Sequence, residues 1–176
     1  MSLARHYLND VVFTLHKQRD LTEKALNQVS DEHFFAKPGE QSNSIAIIVK
    51  HVAGNLVSRW TDFLTTDGEK SWRDRDSEFV ISPSDTRASL LDAWNAGWNS
   101  LLGTLPALHD EDLLKKVVIR GEEHTVLQAI DRTLAHTTNH IGQIVYLARL
   151  LTTDGWQWLT IPPGKSKEHK GKYLPV

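Results

Sequence analysis

The most informative segment of the chain is Leu134-Ala135-His136-Thr137-Thr138-Asn139-His140-Ile141-Gly142-Gln143-Ile144. Apolar and small residues recur in it at the three- and four-residue spacing of a buried helical stripe, which extends to Ile130, Val145, Ala148 and Leu151. Residues four apart in a helix lie on one face, with Cβ atoms about 5–6 Å apart. The spacing therefore predicts a long helix that presents His136 and His140 together on one flank of its buried stripe.

Two imidazoles placed in this way can bind one metal ion. Zinc proteases with this spacing need a glutamate directly after the first histidine as general base, and Thr137 occupies that position here, which excludes that class. With nine histidines among 176 residues, a spacing of four also arises by chance. The pair alone thus leaves both a metal site and two ordinary histidines open.

Three more helical patterns precede this one, over about residues 3–29, from the cluster Ser42-Asn43-Ser44 to about residue 64, and from a cap at Ser84 or Asp85 to about residue 105. The last helix should begin at Thr125, because Thr125 and Gln128 match the capping box. Four long helices in series predict an all-α four-helix bundle, a fold whose facing helices build metal sites in the interior.

Two connecting segments carry further signals. Residues 116–126 have β-branched residues on both sides of Gly121, which predicts a small β-hairpin before the last helix. The loop over residues 65–79 contains Trp72 and Phe79 among charged residues. We expect these aromatic side chains to cover one end of the bundle, with contact to a ligand as the alternative.

Composition limits the classes of function. The chain length predicts one domain, residues 1–176, with a basic C-terminal tail over residues 162–176. A formal net charge of −2 argues against nucleic acid as a partner. The polar N-terminus and the absence of a long apolar run predict no membrane segment and a cytoplasmic location. Because the sequence has no cysteine, imidazole and oxygen groups must hold any metal.

A catalytic zinc-type site commonly uses three protein ligands, so a third histidine is expected. His51 is the leading candidate, because it lies on the flank of the stripe formed by Ile45, Ile48 and Val52. His16, at the edge of the first helix's stripe, is second. Spacing alone leaves open that His51 is a partly buried histidine bonded to a neighbour.

Several of these segments together resemble the DinB-like superfamily of four-helix bundles with a three-histidine metal centre. They are Ser42-Asn43-Ser44-Ile45-Ala46 with His51, and His136 with His140-Ile141-Gly142-Gln143. The segments 66–79, 119–122 and 161–166 resemble one uncharacterised branch, and the resemblance extends from about residue 3 to residue 170. It implies that His51, His136 and His140 bind a divalent zinc, nickel or iron ion.

The resemblance implies a metal-dependent enzyme that acts on a small molecule. Members of the superfamily include S-transferases that use low-molecular-weight thiols, a mycothiol-dependent isomerase and proteins described as metal-dependent hydrolases. The implied activity is therefore thiol S-transfer or hydrolysis, and a non-catalytic, dimeric metal-binding or stress-response bundle is the alternative.

Three further expectations concern residues near the proposed site or on the outer surface of the bundle. Gln143, one turn after His140, is predicted to hydrogen-bond substrate or a metal-bound water, with packing as the alternative. No carboxylate lies one turn from a proposed ligand, so Glu122 or Glu123 is expected to approach through the hairpin. A homodimer is predicted, with Trp94 and Trp98 on an apolar outer helix face.

Overall fold

A computed structural model describes residues 1–168 of the chain. Its helices are α1 (Leu3–Leu26), the short α2 (Asp31–Phe35), α3 (Ile45–Trp60), α4 (Arg87–Thr104) and α5 (Val126–Leu151). Helix α3 packs against α4, α1 packs against α5, and α3 also faces α5. The four long helices form a bundle, which confirms the predicted fold class.

Capping side chains determine where the long helices begin. Ser44 accepts a hydrogen bond from the backbone N–H of Ile47, and Thr125 forms the predicted capping box with Gln128, because unpaired N–H groups at a helix start need acceptors. The predicted caps of α4 are wrong. Thr86 caps this helix through a box with Ser89, while Asp85 instead accepts hydrogen bonds from Ser82 and Lys50.

Two predicted helix ends also lie too far along the chain. Helix α1 ends at Leu26 rather than near residue 29, and Ser30 caps the short helix α2, which the sequence pattern did not reveal. Helix α3 ends at Trp60 rather than near residue 64, because the backbone leaves the helical conformation at Thr61 and turns through Asp62 with a positive φ of 47°.

The predicted hairpin is confirmed. Strands β1 (Lys116–Ile119) and β2 (Glu122–Thr125) pair in antiparallel fashion. Arg120 and Gly121 form the turn with φ values of 57° and 76°, a conformation that glycine adopts without steric cost. The carboxylate of Asp67 accepts hydrogen bonds from both turn N–H groups, each 2.8 Å long. The hairpin is thereby fastened to the loop that follows α3.

The interior is apolar and includes Trp60, Trp94 and Trp98, each at most 2% exposed. The expectation that Trp94 and Trp98 form an outer surface for a homodimer is therefore wrong. Both side chains face the core because α4 lies close to α3, where a Cβ at Gly97 would come within 3.0 Å of the carbonyl oxygen of Ala53. The homodimer itself stays a prediction.

The C-terminal segment is described only in part. Residues 169–176, which include His169 and most of the predicted basic tail, lie outside the described residues. Within residues 1–168, none of the helices has both the length and the apolar character that a membrane crossing requires.

Candidate metal centre

Helices α3 and α5 bring three histidines together in the bundle. His51 from α3 faces His136 and His140 from α5, and one nitrogen of each ring lies within 4.8 Å of the others. The Nε2 atoms of His51 and His136 are 3.2 Å apart. His51 is buried and the other two are half-buried. The second candidate, His16, is exposed on α1 and does not join this group.

The spacing of these nitrogens fits a shared metal ion. Two nitrogens that each lie about 2.0–2.1 Å from a tetrahedral zinc ion are roughly 3.3 Å apart, close to the observed 3.2 Å. Burial and the neighbouring His140 and His51 lower the pKa of His136 to about 3. Burial likewise lowers the pKa of His140. Both rings are therefore neutral near pH 7, which is the form that binds metal.

A buried carboxylate orients the ring of His51. Glu78, in the 3-10 turn Asp76–Phe79, accepts a hydrogen bond of 2.8 Å from Nδ1 of His51 through Oε2. Arg73 holds both oxygens of Glu78, with Nε donating to Oε1 at 2.7 Å and Nη2 to Oε2 at 2.9 Å. Because Nδ1 carries the donated proton, Nε2 presents its lone pair to the centre.

The charge state of Glu78 follows from the same contacts. Burial alone would raise the pKa of Glu78, but hydrogen bonds from His51 and Arg73 outweigh it and hold the pKa below its usual range. The space for this carboxylate comes from Gly54 on α3, where a Cβ would overlap Oε1 of Glu78 and lie 2.9 Å from its Cδ. The absence of a side chain at Gly54 therefore lets an ionised carboxylate reach His51.

The two histidines of α5 differ in their partners. Nδ1 of His140 lies 2.9 Å from the amide oxygen of Gln143, so Nε2 of His140 is left for the centre. Nδ1 of His136 is buried and has no hydrogen-bond partner among residues 1–168. The structure thus places Gln143 against a proposed ligand, and its contact with substrate or water stays a prediction.

Sequence patterns did not reveal Glu78 or Arg73. The sequence pattern predicted an approach of Glu122 or Glu123 through the hairpin, but both residues are exposed on β2. Glu78 lies 27 residues after His51 in a loop without periodicity, so only the fold brings the two together. The loop still carried a signal, because its sequence was part of the resemblance described above.

The two aromatic residues of this loop have different environments. The ring of Phe79 lies 4.8 Å from that of His51, centroid to centroid. Trp72 is 61% exposed and does not cover the bundle. The expectation that both aromatic side chains cover the bundle end is therefore wrong, and Phe79 instead packs against the ring of His51.

The three histidines do not line the cavity that lies beside α1. A cavity of about 920 Å³ lies between α1 and the segment 159–168, and none of the three histidines lines it. Its walls include Leu21, Leu159 and Ile161. Because titratable groups with lowered pKa values lie at the histidines, the cluster rather than this cavity is the candidate functional site.

Comparison with known structures defines the class of fold. The crystal structure of a DinB-like protein from Bacillus subtilis, YjoA, is similar with a TM-score of 0.64 and 17% sequence identity, and the match covers 85% of this chain and 97% of that one. The fold is accordingly DinB-like, as the sequence predicted. The chain belongs to the family described as "Protein of unknown function (DUF1572)", whose model matches residues 2–165. No curated protein matches the sequence.

The contact between Glu78 and His51 leads to a first prediction. Glu78→Gln should weaken metal affinity by about 10–100-fold, as is typical when the partner of a metal-binding histidine is removed, because a neutral amide orients and polarises His51 less than a carboxylate does. Competition with a chromophoric chelator measures this affinity.

Glu69→Gln is the matched control for this change. Glu69 also accepts a hydrogen bond from Arg73, 3.1 Å long, but it has no hydrogen bond to any of the three histidines in the described chain. Its replacement should leave affinity nearly unchanged. Equal losses in the two variants would show that Arg73, rather than the contact with His51, is responsible.

Proposed function

We propose that His51, His136 and His140 hold a divalent zinc, nickel or iron ion and that the protein is a metal-dependent thiol S-transferase. The observation that carries the proposal is the convergence of three imidazoles, two of which are oriented by Glu78 and Gln143. Hydrogen-bonded partners of this kind are typical of histidines that bind metal.

Three neutral ligands leave the charge of a bound cation uncompensated, and such an ion supplies Lewis acidity that lowers the pKa of a thiol or a water. The chain's own residues have supporting roles. Glu78 fixes the tautomer of His51, Gln143 does the same for His140, and Phe79 packs against the ring of His51. Three protein ligands suit a catalytic centre, because a fourth would close the shell.

The state of Glu78 favours an external thiol over water as the nucleophile. Within the described residues, Glu78 is the carboxylate bonded to the cluster, and Arg73 and His51 already engage both its oxygens. It is therefore poorly placed to take a proton from water. A thiol is more acidic than water and depends less on a base, and with no cysteine in the chain that thiol must come from solution.

The test is a turnover screen with a panel of low-molecular-weight thiols and electrophiles on protein loaded with zinc, nickel or iron. Turnover should need both metal and thiol, and His136→Ala should abolish it while circular dichroism shows the helices intact. Full activity after metal depletion would refute the proposal. Hydrolysis of an ester or amide without thiol would assign the hydrolase reaction instead, and a closed shell without turnover would favour the non-catalytic bundle.

A further inference from the structure

A buried arginine without a partner lies two turns from His51 on the same helix. Arg59 is 4% exposed, and within residues 1–168 it forms no hydrogen bond or salt bridge, its buried Nε being left unpaired. A buried charge without a partner is costly, and arginines in such positions are ordinarily paired. The backbone of Gly68 packs along the Arg59 stem, where a Cβ would meet Cδ and Nε at 3.5 Å.

The surroundings of Arg59 are strongly positive. Burial, followed by the charges of Arg132, Arg73 and Arg120, lowers the pKa of Arg59 to about 10, and the charge of Glu69 opposes this shift. That carboxylate is already engaged by Arg73 and Arg120. Around Arg59, the guanidinium charges that lower its pKa therefore outnumber the carboxylate charge that opposes them, before any metal ion adds its charge.

A second buried polar side chain lies between Arg59 and the histidines. Asn55 is 7% exposed, and its amide forms no hydrogen bond within the part of the chain described. Asn55 follows His51 by one helical turn, about 5.4 Å, and precedes Arg59 by another. Residues four apart share a helix face, so these three side chains lie along one face of α3.

Helix α5 carries another basic residue on the helix face that bears His136. Arg132 precedes His136 by four residues, so it lies on the same face of α5, and it is exposed. The charge of Arg59 acts on both Arg132 and His136. The two basic side chains therefore lie to the same side of the histidine cluster, with Arg132 toward solvent and Arg59 inside.

We propose that Arg59, Asn55 and Arg132 form a subsite for an oxyanion, a carboxylate or phosphate group of the substrate, beside the three histidines. The planar guanidinium fork matches the two oxygens of either group, and the Asn55 amide supplies a further donor. The substrate then carries its anionic group several bonds from the reacting atom. This inference rests on the proposed function only in treating the bound anion as part of a substrate, because anion binding itself does not require the metal.

The test measures anion binding on metal-free protein. Calorimetric titrations with inorganic phosphate and with acetate, at an ionic strength held constant with sodium chloride, should detect saturable binding of at least one. Phosphate bound more tightly than acetate assigns a phosphorylated substrate, and the reverse assigns a carboxylate. Arg59→Met should weaken binding at least tenfold, and Arg132→Met should weaken it less, because Arg132 is exposed.

Stability supplies a second readout. Arg59→Met removes a buried unpaired charge at similar volume, so its melting temperature without anion should equal or exceed that of the wild type, and added anion should no longer raise it. Lys116→Met, which removes an exposed positive charge from β1, is the control and should bind anion as the wild type does. Absence of saturable binding, or equal binding by Arg59→Met and wild type, would overturn the proposal.

Failure of this proposal and failure of the proposed function can be distinguished. His136→Ala is expected to lose the metal but to keep anion binding at Arg59. If the wild type takes up metal and turns over substrate while phosphate and acetate do not bind, only the anion subsite is refuted. If anions bind but the histidines take up no metal, only the metal centre is refuted.

Discussion

His51→Ala should eliminate stoichiometric metal binding. His51 is the contribution of α3 to a cluster whose other two members lie on α5, and its loss leaves two imidazoles four residues apart on one helix. The loss of affinity should exceed the ~10–100-fold change typical for the partner of a ligand. Equilibrium dialysis followed by elemental analysis measures it directly.

The same variant should lose stabilisation by metal. A ligand at 100 times its dissociation constant raises the free energy of unfolding by about 2.7 kcal/mol, so the wild type should melt at a higher temperature with metal than with chelator. His51→Ala should melt at the same temperature in both. His16→Ala is the matched control, because His16 is exposed on α1, and metal retention by His51→Ala would refute the ligand assignment.

Gly54→Ala should damage the site without touching a histidine. The added Cβ would overlap Oε1 of Glu78, and that carboxylate cannot move without releasing Arg73 or His51. Overpacking of this kind costs about 1–3 kcal/mol, which outweighs the roughly 0.5–1 kcal/mol that alanine contributes over glycine within a helix. Metal affinity should fall by about 10–100-fold, as for other losses of a ligand's partner.

Gly142→Ala is the control for this change. Gly142 lies within α5, and a Cβ there would meet nothing within 4 Å. This variant should keep the metal and gain about 0.5–1 kcal/mol of stability, measured by urea unfolding. If Gly54→Ala were as stable as Gly142→Ala and bound metal normally, Glu78 would not be confined as described.

The sequence predicted several features that depend on periodicity and local caps, although the predicted caps of α4 are wrong. The stripe of α5, the Thr125 capping box and the hairpin before it are local features, and the structure contains all three. Other errors arose where tertiary packing decides. A single amphipathic pattern does not reveal on which side the neighbouring helices pack, so the predicted outer face with Trp94 and Trp98 is buried in the structure.

Some residues of the candidate site could be predicted from the sequence, and others could not. The positions of His136 and His140 follow from helical spacing, and their meeting with His51 was expected from the resemblance to DinB-like proteins. Glu78, Arg73 and Phe79 come from a loop that has no periodicity, and they reach His51 only through the path that this loop takes over α3. Long-range contacts of this kind leave no pattern in one sequence.

X-ray absorption spectroscopy of the metal-loaded protein tests the central claim most directly. The account predicts one ion per chain with three imidazole nitrogens at about 2.0–2.2 Å, at least one further light ligand that exchanges with solvent, and no stoichiometric ion in His51→Ala. An ion with four non-exchangeable protein ligands, or no stoichiometric uptake of zinc, nickel or iron, would contradict a three-histidine centre open to substrate.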